Sequence, residues 1–234
     1  MSHDDDIFSK QEDYIKNPKD QFKRVLKWVT ENAGSTTKNY SLIDLGCARG
    51  ELITYLNNNL KNFNFTGIDS SNKLISLIPS NQPPNVDFHV VPIEDLSLDH
   101  KYDFLTMCGV TEMVSRPSAL FDKISGSLKK GGKGIIFSML NQYNVDVLVK
   151  YKANEYHKEF QEGLCLHSLD TIENYLSNHN LKIINCEKFF PDNSMEPKAD
   201  PTRSWMTKLF SGEKKYINGL GQLYDVYFIE FVKC

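Results

Sequence analysis

The most restrictive feature of the sequence is a short apolar run that leads into a turn of small residues and then into an amphipathic helix. Residues 41–45 read Ser-Leu-Ile-Asp-Leu, and residues 46–50 read Gly-Cys-Ala-Arg-Gly. The next residues with helical spacing on one face are Leu52, Ile53, Leu56 and Leu60. A strand, a tight turn and a helix in this order predict the first unit of a parallel α/β sheet.

Similar units recur along the chain. An amphipathic helix is predicted between Pro18 and Gly34, and a helix that begins at Ser168 is predicted near the other end. Apolar runs predict further strands over residues 63–68, 86–91, 102–108, 134–140, 181–186 and 224–232. Because strands and helices alternate at the spacing of parallel crossovers, we expect a doubly wound α/β sheet of seven strands, parallel except for the last.

Two segments depart from this alternation. Residues 141–160 are polar with few aliphatic side chains, and we expect a helix that covers the sheet. Residues 188–204 contain three prolines, which predicts irregular structure. Residues 205–210 and 214–217 flank a Ser-Gly-Glu turn and predict a short hairpin.

Length and composition exclude several classes of protein. The chain has 234 residues, of which 40% are hydrophobic and 24% are charged, a balance typical of one folded domain rather than of a disordered or fibrous protein. The net charge of -3 provides no strong field for a phosphate backbone, so nucleic acid is disfavoured as a partner. No apolar run approaches the ~18 residues of a membrane span, and no signal sequence is recognised at the N-terminus.

The five cysteines are odd in number and contain no close pair. A disulfide framework and a CxxC metal site are therefore not indicated, and we expect no metal. Together with the absence of an apparent leader or span, this cysteine usage predicts a soluble protein of the cytoplasm. The sequence does not indicate an oligomeric state.

A ligand site is predicted at the first turn. Small residues at Gly46, Ala48 and Gly50 let a ligand lie against the backbone, and the helix that follows offers unpaired N–H donors. Asp69 ends the second predicted strand, 19 residues beyond Gly50. A carboxylate at this position can accept hydrogen bonds from both hydroxyls of a ribose, so the pattern predicts a nucleoside-binding site.

Residues 42–50 resemble the first motif of the class I S-adenosylmethionine-dependent methyltransferases, with Ala48 in place of the usual central glycine. Four further stretches resemble, in order, the ribose motif, the adenine motif, the fourth strand and the turn before the fifth strand of that family: residues 65–71, 91–96, 102–108 and 128–134. The resemblance implies a Rossmann-like sheet of strand order 3-2-1-4-5-7-6 with an antiparallel last strand, and S-adenosylmethionine as the cofactor. The turn departs from the GxGxxG fingerprint of dinucleotide-binding proteins.

The resemblance also implies which residues contact the cofactor. The implied set is Asp44, Gly46, Cys47, Ala48, Gly50, Asp69, Ser70, Ile93, Glu94, Met107 and Cys108. In this set the turn faces the methionine moiety, Asp69 takes the ribose hydroxyls, and Asp44 orders the turn. Ile93 and Glu94 lie beside the adenine, while Met107 and Cys108 receive the ammonium group. Two departures concern Pro92, where the family usually has an acid, and Met113, where it often has a histidine.

The residues that act on the acceptor are less sharply indicated. The sulfonium of the cofactor makes the methyl group electrophilic, so holding an acceptor in line with it is the main requirement. A hydroxyl acceptor would also benefit from a general base, and the candidates are Glu112, His157, His167 and Tyr143. Each has a plain alternative, because a lone histidine is usually structural or solvated and Glu112 could be a solvated loop acid.

The expected organisation is one methyltransferase domain over residues 1–234. It comprises an N-terminal segment and helix (1–35), a cofactor-binding core (41–140) and an acceptor-side cover (141–167 and 188–222). The favoured function is methylation of an oxygen or nitrogen atom of a small molecule, with sugars and surface-polysaccharide precursors as candidate acceptors. The alternatives are a methyltransferase acting on protein or RNA, and a nucleotide-binding dehydrogenase or non-catalytic module. A dehydrogenase should show a second mononucleotide-binding half, and a macromolecular substrate should require a basic or aromatic surface stripe.

Overall fold

Five α-helices, two short 3-10 turns and eleven strands make up the regular structure in the part of the chain that the computed structural model describes, residues 17–34, 37–98, 100–152, 157–191, 196 and 202–234. The helices are α1 (Asp20–Asn32), α2 (Glu51–Asn59), α3 (Asn72–Ser76), α4 (Ser118–Ser127) and α5 (Leu169–Asn178). The strands are β1 (Tyr40–Leu45), β2 (Phe63–Asp69), β3 (Val86–Val90), β4 (Tyr102–Cys108), β5 (Leu128–Asn141), β6 (Val147–Tyr151), β7 (Gln161–Ser168), β8 (Leu181–Lys188), β9 (Ser204–Lys208), β10 (Lys214–Asn218) and β11 (Leu223–Lys233).

The central part of the sheet has the predicted topology. Its strand order is β3-β2-β1-β4-β5-β11-β8, and neighbours from β3 to β5 are parallel. β11 is antiparallel both to β5 and to β8. With β8 as the sixth and β11 as the seventh strand of the predicted set, the order 3-2-1-4-5-7-6 and the single antiparallel strand are confirmed.

Helices cover both faces of this sheet. On one face, Ile43 and Leu45 of β1 pack in the same buried cluster as residues of α4 and α5. On the other face, Leu42 packs with residues of α1 and α2, among them the fully buried Trp28. Because neighbouring residues of β1 serve opposite faces, the strand is apolar almost throughout, as expected for a parallel strand that is buried on both sides. This arrangement confirms the doubly wound Rossmann-like fold.

Serine side chains cap the starts of two helices. The hydroxyl of Ser71 accepts a hydrogen bond from the Leu74 N–H at 3.2 Å, and the hydroxyl of Ser168 accepts one from the Thr171 N–H at 3.2 Å. These side chains satisfy backbone donors that the first helical turn leaves unpaired. The caps fix the start of α3 next to the end of β2 and the start of α5 next to the end of β7.

Four additional strands attach where β5 ends and β11 begins. β7 pairs with β5 through Leu140 and Asn141, and β6 is antiparallel to β7. β10 pairs with the start of β11, and β9 is antiparallel to β10. The predicted hairpin in this part of the chain is confirmed, with β9 and β10 as its strands.

The helix predicted over residues 141–160 is wrong. The chain makes a turn after β5 and then forms β6, while residues 153–156 lie outside the described part. Val147 and Leu148 of β6 pair with Leu166 and Cys165 of β7, which satisfies the backbone hydrogen bonds that a helix would otherwise have supplied. Valines are stiff at χ1 and fit a strand better than a helix, so the pairing partner and the local preference agree.

The predicted N-terminal segment is described from residue 17 onward, and residues 1–16 lie outside the described part. α1 begins at Asp20, after Pro18, and ends at Asn32 before Gly34. Arg24 of α1 donates hydrogen bonds to Glu187 and Glu230 at 2.6 Å each, which ties this helix to β8 and β11. Within the described ranges, no helix combines the length and the apolar character needed to cross a membrane.

Candidate functional site

The turn after β1 adopts a left-handed backbone at three alternating positions. The φ angles are +77° at Gly46, +50° at Ala48 and +68° at Gly50. The N–H groups of Gly46 and Cys47 both donate to the carbonyl oxygen of Ile68, at 2.8 and 3.0 Å. The turn therefore folds over the end of β2. At Ala48 the left-handed conformation has a steric cost of roughly 1–2 kcal/mol, because this residue carries a Cβ.

The two glycines of the turn are also required by close packing. A Cβ at Gly46 would lie 2.3 Å from Cγ2 of Val110, which follows β4. A Cβ at Gly50 would lie 2.5 Å from Cζ of Phe88, which belongs to β3. Since side chains from two other strand ends rest on the turn, the carboxyl ends of β1, β3 and β4 meet at this edge of the sheet, where ligands of open α/β folds bind.

Asp69 braces the turn from the end of β2. Its Oδ2 accepts a hydrogen bond from the Ala48 N–H at 2.8 Å, and its Oδ1 accepts one from the Ser71 N–H at 2.9 Å. Each carboxylate oxygen has a second lone pair, so Asp69 can still accept two ligand hydroxyls. The side chain is half-buried and the neighbouring Ser70 is exposed, which leaves an approach from solvent. These features fit the ribose of the cofactor that the resemblance implies.

Asp44 lies beneath the turn and is only 3% exposed. Its Oδ1 accepts a hydrogen bond from the hydroxyl of Thr106 at 2.7 Å, which joins β1 to β4. Burial raises the pKa of Asp44 to about 7, and the negative charges of Asp69 and Glu51 act in the same direction. Asp44 is thus a poorly solvated acid that supports the turn and titrates near neutral pH.

The remaining residues of the implied cofactor set lie along the same edge. Met107 is fully buried near the end of β4, and Cys108 is half-buried beside it. Ile93 and Glu94 belong to a single 3-10 turn after β3, where Ile93 is half-buried and Glu94 is exposed. Burial raises the pKa of Cys108 well above its ordinary value, so this thiol stays protonated at neutral pH.

The thiol of Cys47 also stays protonated at neutral pH, because burial raises its pKa above the ordinary range. Cys47 is 4% exposed and packs in the cluster that contains α1 and α2. A thiol is a nucleophile only as the thiolate. Both cysteines therefore act as packing residues in this structure.

Three charged residues at this edge are absent from the predicted set. Lys19 precedes α1, Arg49 lies within the turn and Glu51 begins α2. Burial lowers the pKa of Lys19 to about 8, while the neighbouring charge of Glu51 opposes this shift. The Nε of Arg49 lies 3.7 Å from Oε1 of Glu51. The motif of residues 42–50 does not indicate Lys19, because Lys19 lies at the start of α1, which precedes β1 in the chain.

Glu112 lies in a short 3-10 turn after β4 and is only 3% exposed. Its Oε2 accepts hydrogen bonds from the hydroxyls of Thr111 at 3.0 Å and Ser138 at 3.3 Å. Burial raises the pKa of Glu112, although these hydrogen bonds oppose the change. The alternative of a solvated loop acid is therefore wrong, because β5 and β7 enclose the turn that carries Glu112.

Tyr224, at the start of β11, is fully buried, and the nearby carboxyl group of Glu112 contributes to raising its pKa. Burial raises the pKa of Tyr224 to about 12, and its hydroxyl is hydrogen-bonded to the hydroxyl of Ser204 in β9. Neither residue was predicted as part of a site. The sequence places them far from Glu112, and only the pairing of β9, β10 and β11 brings them to the end of β5.

The other three candidate bases have different surroundings. His167 is 3% exposed, its Nε2 lies 2.8 Å from the carbonyl oxygen of Val114, and its Nδ1 lies 3.5 Å from Oδ2 of Asp146. His157 packs against the ring of Tyr151 with centroids 5.5 Å apart. Tyr143 is 68% exposed on the turn after β5. His167 thus contacts the segment after β4 that also contains Glu112, whereas Tyr143 faces solvent.

Known structures share this fold. A protein from Listeria monocytogenes, described as a candidate S-adenosylmethionine-dependent methyltransferase, superimposes with a TM-score of 0.62 at 13% identity, over 90% of this chain and 99% of that one. The glycopeptide N-methyltransferase MtfA, solved with S-adenosylmethionine, gives a TM-score of 0.60 at 10% identity over 93% and 96% of the two chains. The N-methyltransferase NodS of Bradyrhizobium japonicum, solved with S-adenosylhomocysteine, gives 0.59 at 11% identity over 98% and 96%.

Sequence comparison extends the likeness. A candidate methyltransferase of Invertebrate iridescent virus 6, protein 235L, is 29% identical over 119 residues, which are 51% of this chain and 44% of the viral protein. This chain thus matches less than half the length of that relative. The family model described as a methyltransferase domain matches residues 18–185, which include the turn, Asp69 and the strands around them. The chain belongs to this methyltransferase domain family.

Proposed function

We propose that the protein transfers the methyl group of S-adenosylmethionine to an oxygen or nitrogen atom of a small molecule. Membership of the methyltransferase domain family supports the reaction. Two structures of the same fold are named as N-methyltransferases, one of them acting on a glycopeptide. Because these structures have low sequence identity to this chain, they show only that the fold is shared. The acceptor must therefore be inferred from the chain's own residues.

In this proposal the carboxyl edge of the sheet holds the cofactor. The backbone of residues 46–50 would face the methionine moiety, and Asp69 would accept the ribose hydroxyls through its free lone pairs. Ile93 and Glu94 would border the adenine, and the ends of β1 and β4 would hold the methionine ammonium. When bound, the cofactor supplies an electrophilic methyl group, and the protein's task is to hold an acceptor in line with it.

One observation carries the choice of a small acceptor. Four strands are additional to the seven of the central sheet: β6, β7, β9 and β10. All of them attach where β5 ends and β11 begins. They cover the sheet beside the carboxyl edge, where Leu166 of β7 and Tyr216 of β10 form a buried cluster with Tyr224 and Val226 of β11. A covered approach to the carboxyl edge suits a small ligand better than an open groove would, and the cover also excludes water.

Glu112 is the base that the geometry supports best. It is buried next to the hydroxyls of Thr111 and Ser138, and its raised pKa improves its ability to take a proton near neutral pH. His167 is engaged by Val114 and Asp146, an arrangement that favours a role in positioning the cover. A hydroxyl or ammonium acceptor would lose its proton to Glu112, whereas a neutral amine would need no base at the methyl-transfer step.

The proposal is tested by following a radiolabelled methyl group. The protein is incubated with methyl-labelled S-adenosylmethionine and a cell extract that has been separated into small molecules, RNA and protein. We expect label in a new compound of the small-molecule fraction that is separated from the cofactor by chromatography and is absent when the protein is left out. Label confined to RNA or protein would contradict the proposed acceptor class and would favour the macromolecular alternative.

Variants then separate catalysis from cofactor binding. Glu112→Gln keeps the size and hydrogen-bonding capacity of the side chain and should lower turnover at least tenfold, while the Kd for S-adenosylhomocysteine changes little. Glu173→Gln is the matched control, because Glu173 is an exposed glutamate of α5 and its neutralisation should leave turnover unchanged. Normal turnover of the Glu112 variant would rule out Glu112 as the base.

A further inference from the structure

The edge of the sheet opposite Asp69 contains a cavity of about 350 Å³. It lies between the starts of β1 and β4 and the first residues of β5. We call it the lysine pocket and define it by Lys38, Tyr40, Asp103, Lys129, Lys130 and Lys133. The lysine pocket and the turn lie at opposite ends of β1. The six residues of this strand, at ~3.3 Å each, place them roughly 17–20 Å apart. The pocket is therefore distinct from the proposed methyl-transfer site.

An irregularity in strand pairing builds the pocket. Tyr102 of β4 is opposite Leu128 of β5, but Phe104 is already opposite Lys133. Residues 129–132 thus stand opposite the single residue Asp103. The bulge includes Gly131, whose φ of +75° lets the chain turn back into the strand. It projects Lys129 and Lys130 around the cavity on a framework of strands rather than on a free loop.

The charges of the pocket are unbalanced. Lys38 and Lys129 share Asp103, with Nζ to carboxylate distances of 3.1 and 2.8 Å. Lys133 donates to the neutral side chain of Asn32 at 2.6 Å. Among the described residues, Lys130 has no ion pair. Four lysines and one aspartate give the pocket a local charge of +3, whereas the whole chain has a net charge of -3.

Asp103 stays ionised at any ordinary pH, and the local charge of +3 already includes its negative charge. Although burial opposes ionisation, hydrogen bonds from Lys129, Ser41 and Lys38 lower the pKa of Asp103 to about 2. The carboxylate therefore remains charged and keeps Lys38 and Lys129 fixed at the wall. Fixed ammonium groups lose less side-chain entropy when they bind a ligand than free ones do, so the pocket is partly organised for an anion.

From this geometry we propose that the lysine pocket binds a compact anion that carries two or more phosphoryl groups. Lysine ammonium groups are point charges that bind phosphate oxygens well, and a single carboxylate ligand would leave most of the positive charge uncompensated. The volume lies at the lower end of the range for small-ligand sites. A nucleic acid is less suited, because the chain as a whole has a net negative charge and repels a long polyanion.

Titration calorimetry with inorganic tripolyphosphate tests the proposal, in low salt and with S-adenosylhomocysteine present at saturation. We expect one tripolyphosphate per chain and binding that weakens as salt is added, because salt screens the lysines. The absence of saturable binding would overturn the proposal. Competition between tripolyphosphate and S-adenosylhomocysteine would also overturn it, since the anion would then occupy the cofactor site. Neither result bears on methyl transfer itself.

Charge-removing variants localise the site. Lys130→Gln with Lys133→Gln should raise the Kd for tripolyphosphate at least tenfold, while Lys152→Gln with Lys158→Gln removes the same charge elsewhere and should have little effect. Because Lys133 also contacts α1, Lys130→Gln alone is measured as well and should weaken binding without changing Tm. Equal losses in the two double variants would show a non-specific charge effect and contradict the proposal.

Two further probes identify the source of the phosphoryl groups. Phosphatidylcholine vesicles that contain phosphatidylinositol bisphosphate present them on a lipid headgroup, and binding of these vesicles that depends on Lys130 would assign the pocket to a membrane lipid. Binding of tripolyphosphate alone would assign it to a free ligand. A short oligouridine that binds more tightly than tripolyphosphate, and loses this binding in Lys130→Gln, would replace the proposed compact ligand by RNA.

Discussion

Two aspartates at the carboxyl edge, Asp44 and Asp69, have different roles because their surroundings differ. Asp69 is half-buried, accepts two backbone N–H groups and keeps lone pairs for a ligand. Asp44 is 3% exposed and has the Thr106 hydroxyl as its hydrogen-bond donor. The first therefore suits ligand binding, whereas the second supports the turn from below and carries an unfavourable charge there.

The raised pKa of Asp44 predicts a specific pH dependence of stability. A carboxyl whose folded pKa exceeds its unfolded value stabilises the fold below the unfolded pKa, and this contribution is lost as the pH rises through the folded pKa. With a folded pKa of about 7, the free energy of unfolding should lose about 2.5 kcal/mol between pH 5 and pH 8 through Asp44.

Denaturant unfolding of the wild type and of Asp44→Asn at these two pH values measures this contribution. The amide introduced by this substitution stays neutral and can still accept the Thr106 hydrogen bond, so the variant should show a smaller decrease than the wild type. Equal decreases would mean that Asp44 titrates normally. Comparison of the two proteins removes the contribution of Glu112, whose burial raises its pKa in both.

The left-handed backbone of Ala48 leads to a second prediction at this scale. Ala48→Gly removes a Cβ from a residue at φ +50° and should raise the free energy of unfolding by up to about 1 kcal/mol, after the entropy of the more flexible unfolded chain is subtracted. Ala119→Gly in α4 is the matched control and should lower it by about 1 kcal/mol. Urea denaturation measures both variants, and a loss at both positions would contradict the strain argued for Ala48.

The sequence predicted the residues of the turn and Asp69 because they are local. Their order along the chain reflects one βα unit and the start of the next. Lys19, Ser204 and Tyr224 could not be predicted in the same way, since each reaches the site through an element that is distant in sequence from the turn. Glu112 was predicted as a candidate, but its burial depends on β5 and β7, which its own neighbours do not reveal.

At the scale of elements, the β9–β10 hairpin is held to the end of β5 by a buried ion cluster. Lys215 of β10 is 1% exposed, and its Nζ contacts Asp225 at 2.7 Å, Glu213 at 2.9 Å and Gln142. Lys188 also contacts Asp225, at 2.9 Å. The three donors of the Lys215 ammonium group therefore have three acceptors, an arrangement that offsets the cost of burying the charge.

Removing Lys215 should loosen the hairpin. Lys215→Ala leaves the fully buried Asp225 with only Lys188 and should lower the free energy of unfolding by about 3 kcal/mol. The neighbouring Lys214 is exposed, and Lys214→Ala should change the free energy by less than about 0.5 kcal/mol. Urea denaturation of both variants compares them, and similar values would show that the cluster does not hold the hairpin.

The hairpin was predicted because a Ser-Gly-Glu turn separates two β-rich runs. The wrong helix over residues 141–160 shows the opposite case. A polar segment with few aliphatic side chains gives little local information, and its structure depends on whether another strand is available. Here β7 provides that strand, and β7 itself is held by two residue pairs at the end of β5.

At the scale of the whole molecule, the parallel sheet separates two regions of opposite character. The carboxyl edge has the turn, Asp44, Asp69 and Glu112, beside the cover formed by the four added strands. The opposite edge has the lysine pocket. The same strands β1, β4 and β5 reach both edges, and the proposed methyl-transfer site and the proposed anion site share no residues.

Binding of S-adenosylmethionine at the carboxyl edge through Asp69 underlies the proposed function. Calorimetric titration of the protein with S-adenosylhomocysteine tests it most directly, with Asp69→Ala as the variant. Asp87→Ala is the matched control, because Asp87 is an exposed aspartate on the neighbouring strand β3.

We expect one site per chain, an unchanged Kd for Asp87→Ala and a Kd raised more than tenfold for Asp69→Ala, since each charge-assisted hydrogen bond to a hydroxyl contributes roughly 1.5–3 kcal/mol. No binding by the wild type, or equal affinity in the Asp69 variant and the wild type, would contradict this expectation.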